Sequence, residues 1–268
     1  INVALGTPTT SDNCTVASVT NNGLSSYPLG VTTVTWTVTD ASGNTATATQ
    51  TVTVNDTTNP TIVAPAALTV SSSATCGVTG LSLGNPITGD NCSVATVTNN
   101  APTTFPLGNT TVTWTVTDGS GNIKTATQLV TVVDTTLPTI TAPANVTVNT
   151  NTGCTATGVV LGTPVTADNC SVASVTNNAP TVFPVGTTTV TWTVTDGSGN
   201  IKTTTQTVTV IDNVNPTITA PANVIVSANN SCVAINVNLG TPVRADNCTV
   251  ASVTNNGLSS YPLGVTTV

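Results

Sequence analysis

Every acidic residue in the sequence is an aspartate, and all ten stand at one of three positions in a 78-residue repeat. Asp12, Asp90, Asp168 and Asp246 begin an Asp-Asn-Cys tripeptide; Asp40, Asp118 and Asp196 open an Asp-x-Ser-Gly-Asn turn; Asp56, Asp134 and Asp212 stand where one repeat passes into the next. Carboxylates gathered at one end of a domain, with backbone and Asn carbonyls nearby, are the hard oxygen donors that Ca2+ takes in sets of about six to eight. In an immunoglobulin-type sandwich the last hairpin turn lies at the end where the chain comes in. Asp56 with Asp118, and Asp134 with Asp196, are therefore the candidate Ca2+ ligands. The competing reading is that each Asp caps its own turn by accepting loop amides. The Asp of the Asp-Asn-Cys loop is expected away from these pairs, held by its cysteine at the opposite end against the next domain.

The cysteines obey the same period. Cys14, Cys92, Cys170 and Cys248 step by 78, as do Cys76, Cys154 and Cys232. Two per repeat, 16 positions apart, predict the disulfides Cys76/Cys92, Cys154/Cys170 and Cys232/Cys248, with the partner of Cys14 lying before Ile1. A staple of that loop size is worth about 3 kcal/mol in the chain-entropy model and points to an oxidising, extracellular setting. Zinc would need four ligands, and two thiols per repeat in a chain without His fall short. The sequence also lacks Glu, and no Lys or Arg recurs at a position shared by all copies, so neither an acid–base pair nor an activated nucleophile is in view. A non-enzymatic protein is expected.

The elements that must hold these residues are read from the stretch Val34 to Asn44, which returns as Val112 to Asn122 and Val190 to Asn200. A fixed period of that size marks a tandem array. The boundaries predict a partial domain at 1–55, complete domains at 56–133 and 134–211, and a second partial domain at 212–268. Val34, Trp36 and Val38 alternate with Thr33, Thr35, Thr37 and Thr39, the period-two pattern of a half-buried strand, and the turn at Asp40 leads into a second alternating strand, Thr45 to Val54. Pro143 breaks the first segment of the third repeat, as suits an edge strand. Six or seven short strands per repeat without helical periodicity predict an all-β fold, a tandem array of immunoglobulin-like β-sandwich domains. Trp36, Trp114 and Trp192, with the corner residues Tyr27, Phe105, Phe183 and Tyr261, account for all seven aromatics and are expected in the cores. Residues 1–34 and 235–268 match at 30 of 34 positions, which predicts a duplicated three-domain unit within a longer array.

Charge narrows the partners. The net charge is −7 and only Lys124, Lys202 and Arg244 are basic, which argues against nucleic acid and anionic membranes. No apolar run reaches the length of a membrane helix. The expected partners are neighbouring repeats of the same chain and a surface or glycan ligand.

Asp134-Thr135-Thr136-Leu137-Pro138-Thr139-Ile140, Pro143-Ala144-Asn145-Val146, Asp168-Asn169-Cys170, Phe183-Pro184-Val185-Gly186-Thr187 and Val194 to Asn200 recur in order and in register. Together they resemble the hyalin repeat, or HYR domain. A chain this rich in Thr, Val and Asn is also similar to the giant SprB-type gliding adhesins of Bacteroidota, exported by the type 9 secretion system. That resemblance implies an extracellular, cell-surface protein in which the repeats form a structural stalk or fibre segment, a stapled spacer. The alternatives are an adhesive module with repeated weak contacts to a surface or glycan, and a self-assembling filament subunit. Thr57 and Thr135, each in Asp-Thr-Thr, resemble the Asp-Thr-x sites of Bacteroidota O-glycosylation. The further disulfide common in the family is expected to be absent, because Ala142 and Thr204 occupy its places.

Overall fold

The alternation of Val and Thr decides the layers. In Gly186–Asp196 the side chains of Val190, Trp192 and Val194 are buried, while the threonines between them lie on the other face. The computed structural model of the chain describes residues 3–72 and 74–268, and these contain strands, turns and irregular segments but no helix. They divide into two compact units, one comprising the chain to Ser72 with Cys76–Val133, the other built on Asp134–Val268.

In the second unit, the third repeat forms a four-stranded sheet in the order Val146–Asn149, Ile201–Ile211, Gly186–Asp196, Val172–Asn177. The first two strands run parallel and the other neighbours antiparallel. Two short antiparallel pairs, Thr139–Thr141 with Val165–Ala167 and Thr155–Thr157 with Val182–Pro184, supply the facing layer. Ala156 and Phe183 from that layer close on Val190, Trp192, Val208 and Val210, with Ile140 packed beside them. Pro143 explains why the first segment serves both layers. The chain pairs on one side as Thr139–Thr141, loses a backbone donor at Pro143, and pairs again in the other sheet as Val146–Asn149. The fourth repeat, in the same unit, keeps the two short pairs, Thr217–Thr219 with Val243–Ala245 and Val233–Ile235 with Ser260–Pro262.

The first unit repeats the plan. Its second repeat orders Leu68–Ser72, Ile123–Asp134, Gly108–Asp118 and Val94–Asn99 in one sheet, with a core of Phe105, Val112, Trp114, Val130 and Val132. The first repeat contributes Val16–Asn21, Gly30–Asp40 and Thr45–Val54 around Tyr27, Val34 and Val52. The chain is thus an all-β tandem array of sandwich domains.

A glutamine seals each complete core, and sequence reasoning missed it. Gln206 is 1% exposed; its Oε1 accepts the Trp192 indole N–H at 3.0 Å, and its Nε2 donates to Ala144 O at 2.6 Å and Leu161 O at 2.8 Å. Gln128 does the same with Trp114, Ala66 and Leu83. Three elements are pinned by one amide whose donors and acceptor are all satisfied. The signal was present, because Gln50, Gln128 and Gln206 each follow a tryptophan by 14 residues on the core-facing register.

Candidate metal centre

The hairpin turn that ends the Trp strand is built by its first residue. Asp196 Oδ1 accepts the amides of Ser198 at 2.9 Å and Asn200 at 2.8 Å, and Oδ2 accepts Asn200 Nδ2 at 2.7 Å. Gly199 takes φ +92, which only Gly adopts cheaply in such a turn. The same Asn200 amide donates to the backbone oxygen of Asp134 at 3.1 Å, so the hairpin is fastened to the residue where the repeat begins. Asp118, Asn122 and Asp56 repeat this arrangement in the first unit, with Asn122 Nδ2 at 3.1 Å from Asp56 O.

The third aspartate joins them. Asp168 Oδ2 accepts the amides of Cys170 at 2.8 Å and Ser171 at 3.0 Å, and Asn169 Nδ2 approaches Asp134 Oδ1 at 3.4 Å. In the second repeat, Asp56, Asp90 and Asp118 each present a carboxylate oxygen within 4.8 Å of the other two; in the third, Asp134 and Asp168 do so together with the Cys170 sulfur. The expectation that the Asp-Asn-Cys loop lies at the opposite end is therefore overturned. The structure brings Asp56 to Asp118 as the sequence predicts, and it adds Asp90. It links Asp134 to Asp196 through Asn200, and it adds Asp168.

The turn-capping role is real but accounts for only one oxygen of several carboxylates. Asp134 Oδ1 accepts the Thr136 amide at 3.0 Å, yet its Oδ2 is buried without a partner, as are Asp168 Oδ1, Asn169 Oδ1, Asp56 Oδ2 and Asp90 Oδ1. The local field is negative. Burial pushes the Asp118 carboxyl up and the charge of Asp56 adds to this, but the hydrogen bonds from Asn122 and Ser120 outweigh both and hold it below the ordinary range. Asp56 is likewise lowered, chiefly by the Thr58 amide and the Asn91 side chain. The neighbouring Cys92 thiol is pushed up by desolvation, by its hydrogen bond to Asp56 and by the charges of Asp56, Asp90 and Asp118.

The cysteine pairing also differs from the sequence expectation. Cys154 is bonded to Cys248, 94 residues on, with a Cα–Cα distance of 4.6 Å. Cys76 and Cys170 are disulfide-bonded too, whereas Cys14, Cys92 and Cys232 are free. None of the pairings Cys76/Cys92, Cys154/Cys170 and Cys232/Cys248 forms. The reason is their placement at opposite ends of a sandwich. The loop before Cys154 follows the last strand, with the Thr150 amide on Ile211 O at 3.0 Å, while the Asp-Asn-Cys loop lies beside the first residue of its repeat. The trailing end of the third repeat meets the leading end of the fourth, so the mate of Cys154 is one period further, 78 + 16 = 94. No cysteine stands 94 residues from Cys14, Cys92 or Cys232 in the sequence. Asn247 reinforces the joint by donating to Thr150 Oγ1 at 3.2 Å, Gly153 O at 3.3 Å and Asp212 Oδ1 at 3.1 Å.

The HYR-domain family model matches residues 1–54 and 133–210. The matched repeats are HYR domains. Hyalin of Strongylocentrotus purpuratus is 35% identical over 291 residues, covering 100% of this chain and 24% of the relative; hyalin of Lytechinus variegatus is 34% identical over 281 residues, covering 97% and 53%. The chain thus spans about a quarter and about half of those two relatives. Among solved structures, Drosophila N-cadherin EC1-4 superposes with a TM-score of 0.33 at 10% identity, covering 69% of this chain and 58% of that one. The extracellular domain of protocadherin gamma B4 gives 0.33 at 16% identity, covering 88% and 48%. Thr57 and Thr135 are exposed, next to aspartates of the carboxylate clusters. Ala142 is half-buried against the third core, with no thiol at its position.

Proposed function

We propose that these HYR domains form an extracellular, adhesion-related array, and that this chain is a stalk or fibre segment of a very large cell-surface protein, acting as a covalently braced spacer without catalytic function. The observation that carries the reading is the Cys154–Cys248 disulfide. A bond inside a domain stabilises that domain, whereas a bond from one domain to the next resists their separation, which matters when the array bears load. It also belongs to an oxidising compartment. The Thr-, Val- and Asn-rich composition supports a place among the gliding adhesins of Bacteroidota exported by type 9 secretion, and exposure of Thr57 and Thr135 suits O-glycosylation there.

A second reading has its own observation. In the third repeat the outer face of the long hairpin stacks Thr187, Thr189, Thr191 and Thr193 directly opposite Thr209, Thr207, Thr205 and Thr203. Such a hydroxyl array, repeated along a chain, suits weak multivalent contact with a glycan or mineral surface.

Solution X-ray scattering on the whole chain separates the possibilities. A spacer gives a monomer mass at every concentration and a maximum dimension that becomes ill-defined when the disulfides are reduced. Mass that grows with concentration replaces the spacer with a self-assembling filament. Retention on immobilised glycans, lost when the outer threonines are replaced by Asp, establishes the adhesive reading.

A further inference from the structure

We propose that each complete repeat binds one Ca2+ ion at its leading end, through Asp134 and Asp168 with Asn169 in the third repeat, and through Asp56, Asp90 and Asp118 in the second. Turn capping explains why an Asp stands at each position, but it uses up only part of the donor capacity. Asp134 is 6% exposed and its Oδ2 has no hydrogen-bond donor; Asp168 Oδ1 and Asn169 Oδ1 are equally without one. A buried carboxylate oxygen left without a donor is costly, and several facing one another add mutual repulsion. A cation among them reverses both costs.

The geometry suits an oxygen-loving ion. The loop amides of Thr136, Cys170 and Ser171 occupy one oxygen of Asp134 and of Asp168 and fix each carboxylate so that the other oxygen is free to bind. Oxygens that all lie within 4.8 Å of one another, as those of Asp56, Asp90 and Asp118 do, can share one ion, because ligands on opposite sides of Ca2+ stand about twice 2.4 Å apart. Every donor is oxygen. In the third repeat Cys170 is engaged in a disulfide and offers no thiolate; in the second the clustered donors are carboxylates, with the free Cys92 thiol beside them, and the sequence has no His, so the donor set favours a hard cation. The fourth repeat carries the same parts in Asp212, Asp246 and Asn247, with Asp246 Oδ1 and Asn247 Oδ1 unpartnered.

In that fourth repeat the donors sit on the loop that Cys248 ties to Cys154 and Asn247 ties to Thr150.

Isothermal titration of Ca2+ into the chelator-treated 268-residue chain tests the proposal. The expected result is two ions per chain and a melting temperature raised by Ca2+. Asp168→Asn keeps the shape and removes one charge, so it should reduce the stoichiometry to one; adding Asp90→Asn should abolish binding. A merely structural aspartate would lower the melting temperature equally with and without Ca2+, whereas a ligand loses mainly the Ca2+-dependent part. Absence of heat and of any melting shift in the unmodified chain overturns the site, and so does full stoichiometry in the double variant. An equal shift from Mg2+ overturns the assignment to Ca2+. The unmodified chain decides even if a variant fails to fold. Calorimetry tests the ion and scattering tests the spacer, so the two readings fail separately.

Discussion

Replacing Gln206 with Met should unfasten the third repeat from inside. Methionine nearly matches the length and volume of the side chain, so the core neither collapses nor overfills. What disappears is three hydrogen bonds at 3.0, 2.6 and 2.8 Å in a site 1% exposed, leaving the Trp192 indole N–H and the carbonyls of Ala144 and Leu161 without partners. An unsatisfied buried donor or acceptor costs about 1–3 kcal/mol. Taking about 2 for the indole donor and about 1 for each carbonyl gives about 4 kcal/mol, or roughly a thousandfold in the folding equilibrium. Hydrogen–deuterium exchange read by mass spectrometry locates the loss. Amides in Gly186–Asp196 and Ile201–Ile211 should exchange up to about a thousandfold faster, while Gly108–Asp118 in the other unit keeps its protection. Trp192→Phe removes the orphaned donor, so the double variant should recover about 1–2 kcal/mol relative to additivity. Third-repeat strands that stay within tenfold of the unmodified chain would refute the reasoning, as the glutamine would then be filling space and not holding three elements together.

Three further outcomes follow from the same geometry. Peptide mapping without reduction should recover Cys154 joined to Cys248 and no Cys154–Cys170 peptide; Cys154→Ser should cost the joint about 4–5 kcal/mol by the chain-entropy model for a loop near one hundred residues, measured by chemical denaturation of the fourth repeat's strands. Gly186→Ala should destabilise by about 1–2 kcal/mol through its φ of +104 alone, because a Cβ there meets nothing within 4 Å; a loss above about 3 kcal/mol in a thermal melt would show that the corner is packed. In acid, Asp40, Asp118 and Asp196 have folded pKa values lowered by hydrogen bonds to their turns, so their stabilisation is complete above the unfolded value of about 3.9 and is lost as pH falls through the folded values. The melting temperature in chelator should be level from pH 7 to about 4.5 and drop below about 3.9; a drop already complete at pH 5 would contradict the sign of these shifts.

The body of each domain was legible and its ends were not. Alternation at Val190, Trp192 and Val194 is a local signal that fixes which face is buried, and Asp-x-Ser-Gly-Asn specifies its hairpin through contacts within five residues. Pro143 announced an edge, though not that its strand would divide between two sheets. The cysteines misled because spacing in a repeat is ambiguous. A separation of 16 and one of 94 differ by one period, and nothing local prefers the shorter. A Cys154–Cys170 bond would hold Asp168 at the opposite end from Asp134, whereas the Cys154–Cys248 pairing leaves it beside Asp134. Gln206 escaped notice because a lone Gln in a Thr-rich strand reads as solvated, and only the Trp192 neighbour across the sheet reveals its role.

Comparison among the copies shows where the physical demands are tightest. The Asp-Asn-Cys tripeptide is identical in all four, while the residue before it is Ser11, Gly89, Ala167 or Ala245 and the residue after it is Thr15, Ser93, Ser171 or Thr249. Each member of Asp246-Asn247-Cys248 has a different partner: Asp246 Oδ2 caps the loop and leaves Oδ1 to the carboxylate cluster, Asn247 reaches Thr150, Gly153 and Asp212, and Cys248 bonds to Cys154. Substituting the Asp disturbs the cluster, substituting the Asn loosens the joint, and substituting the Cys cuts the covalent link. The position before the tripeptide varies among small residues, whereas the position after it carries a hydroxyl in every copy, with Ser93 Oγ lying against Gly119. Three functions on three consecutive residues also fix the period, since an insertion between the joint and the loop would move all of them out of reach together.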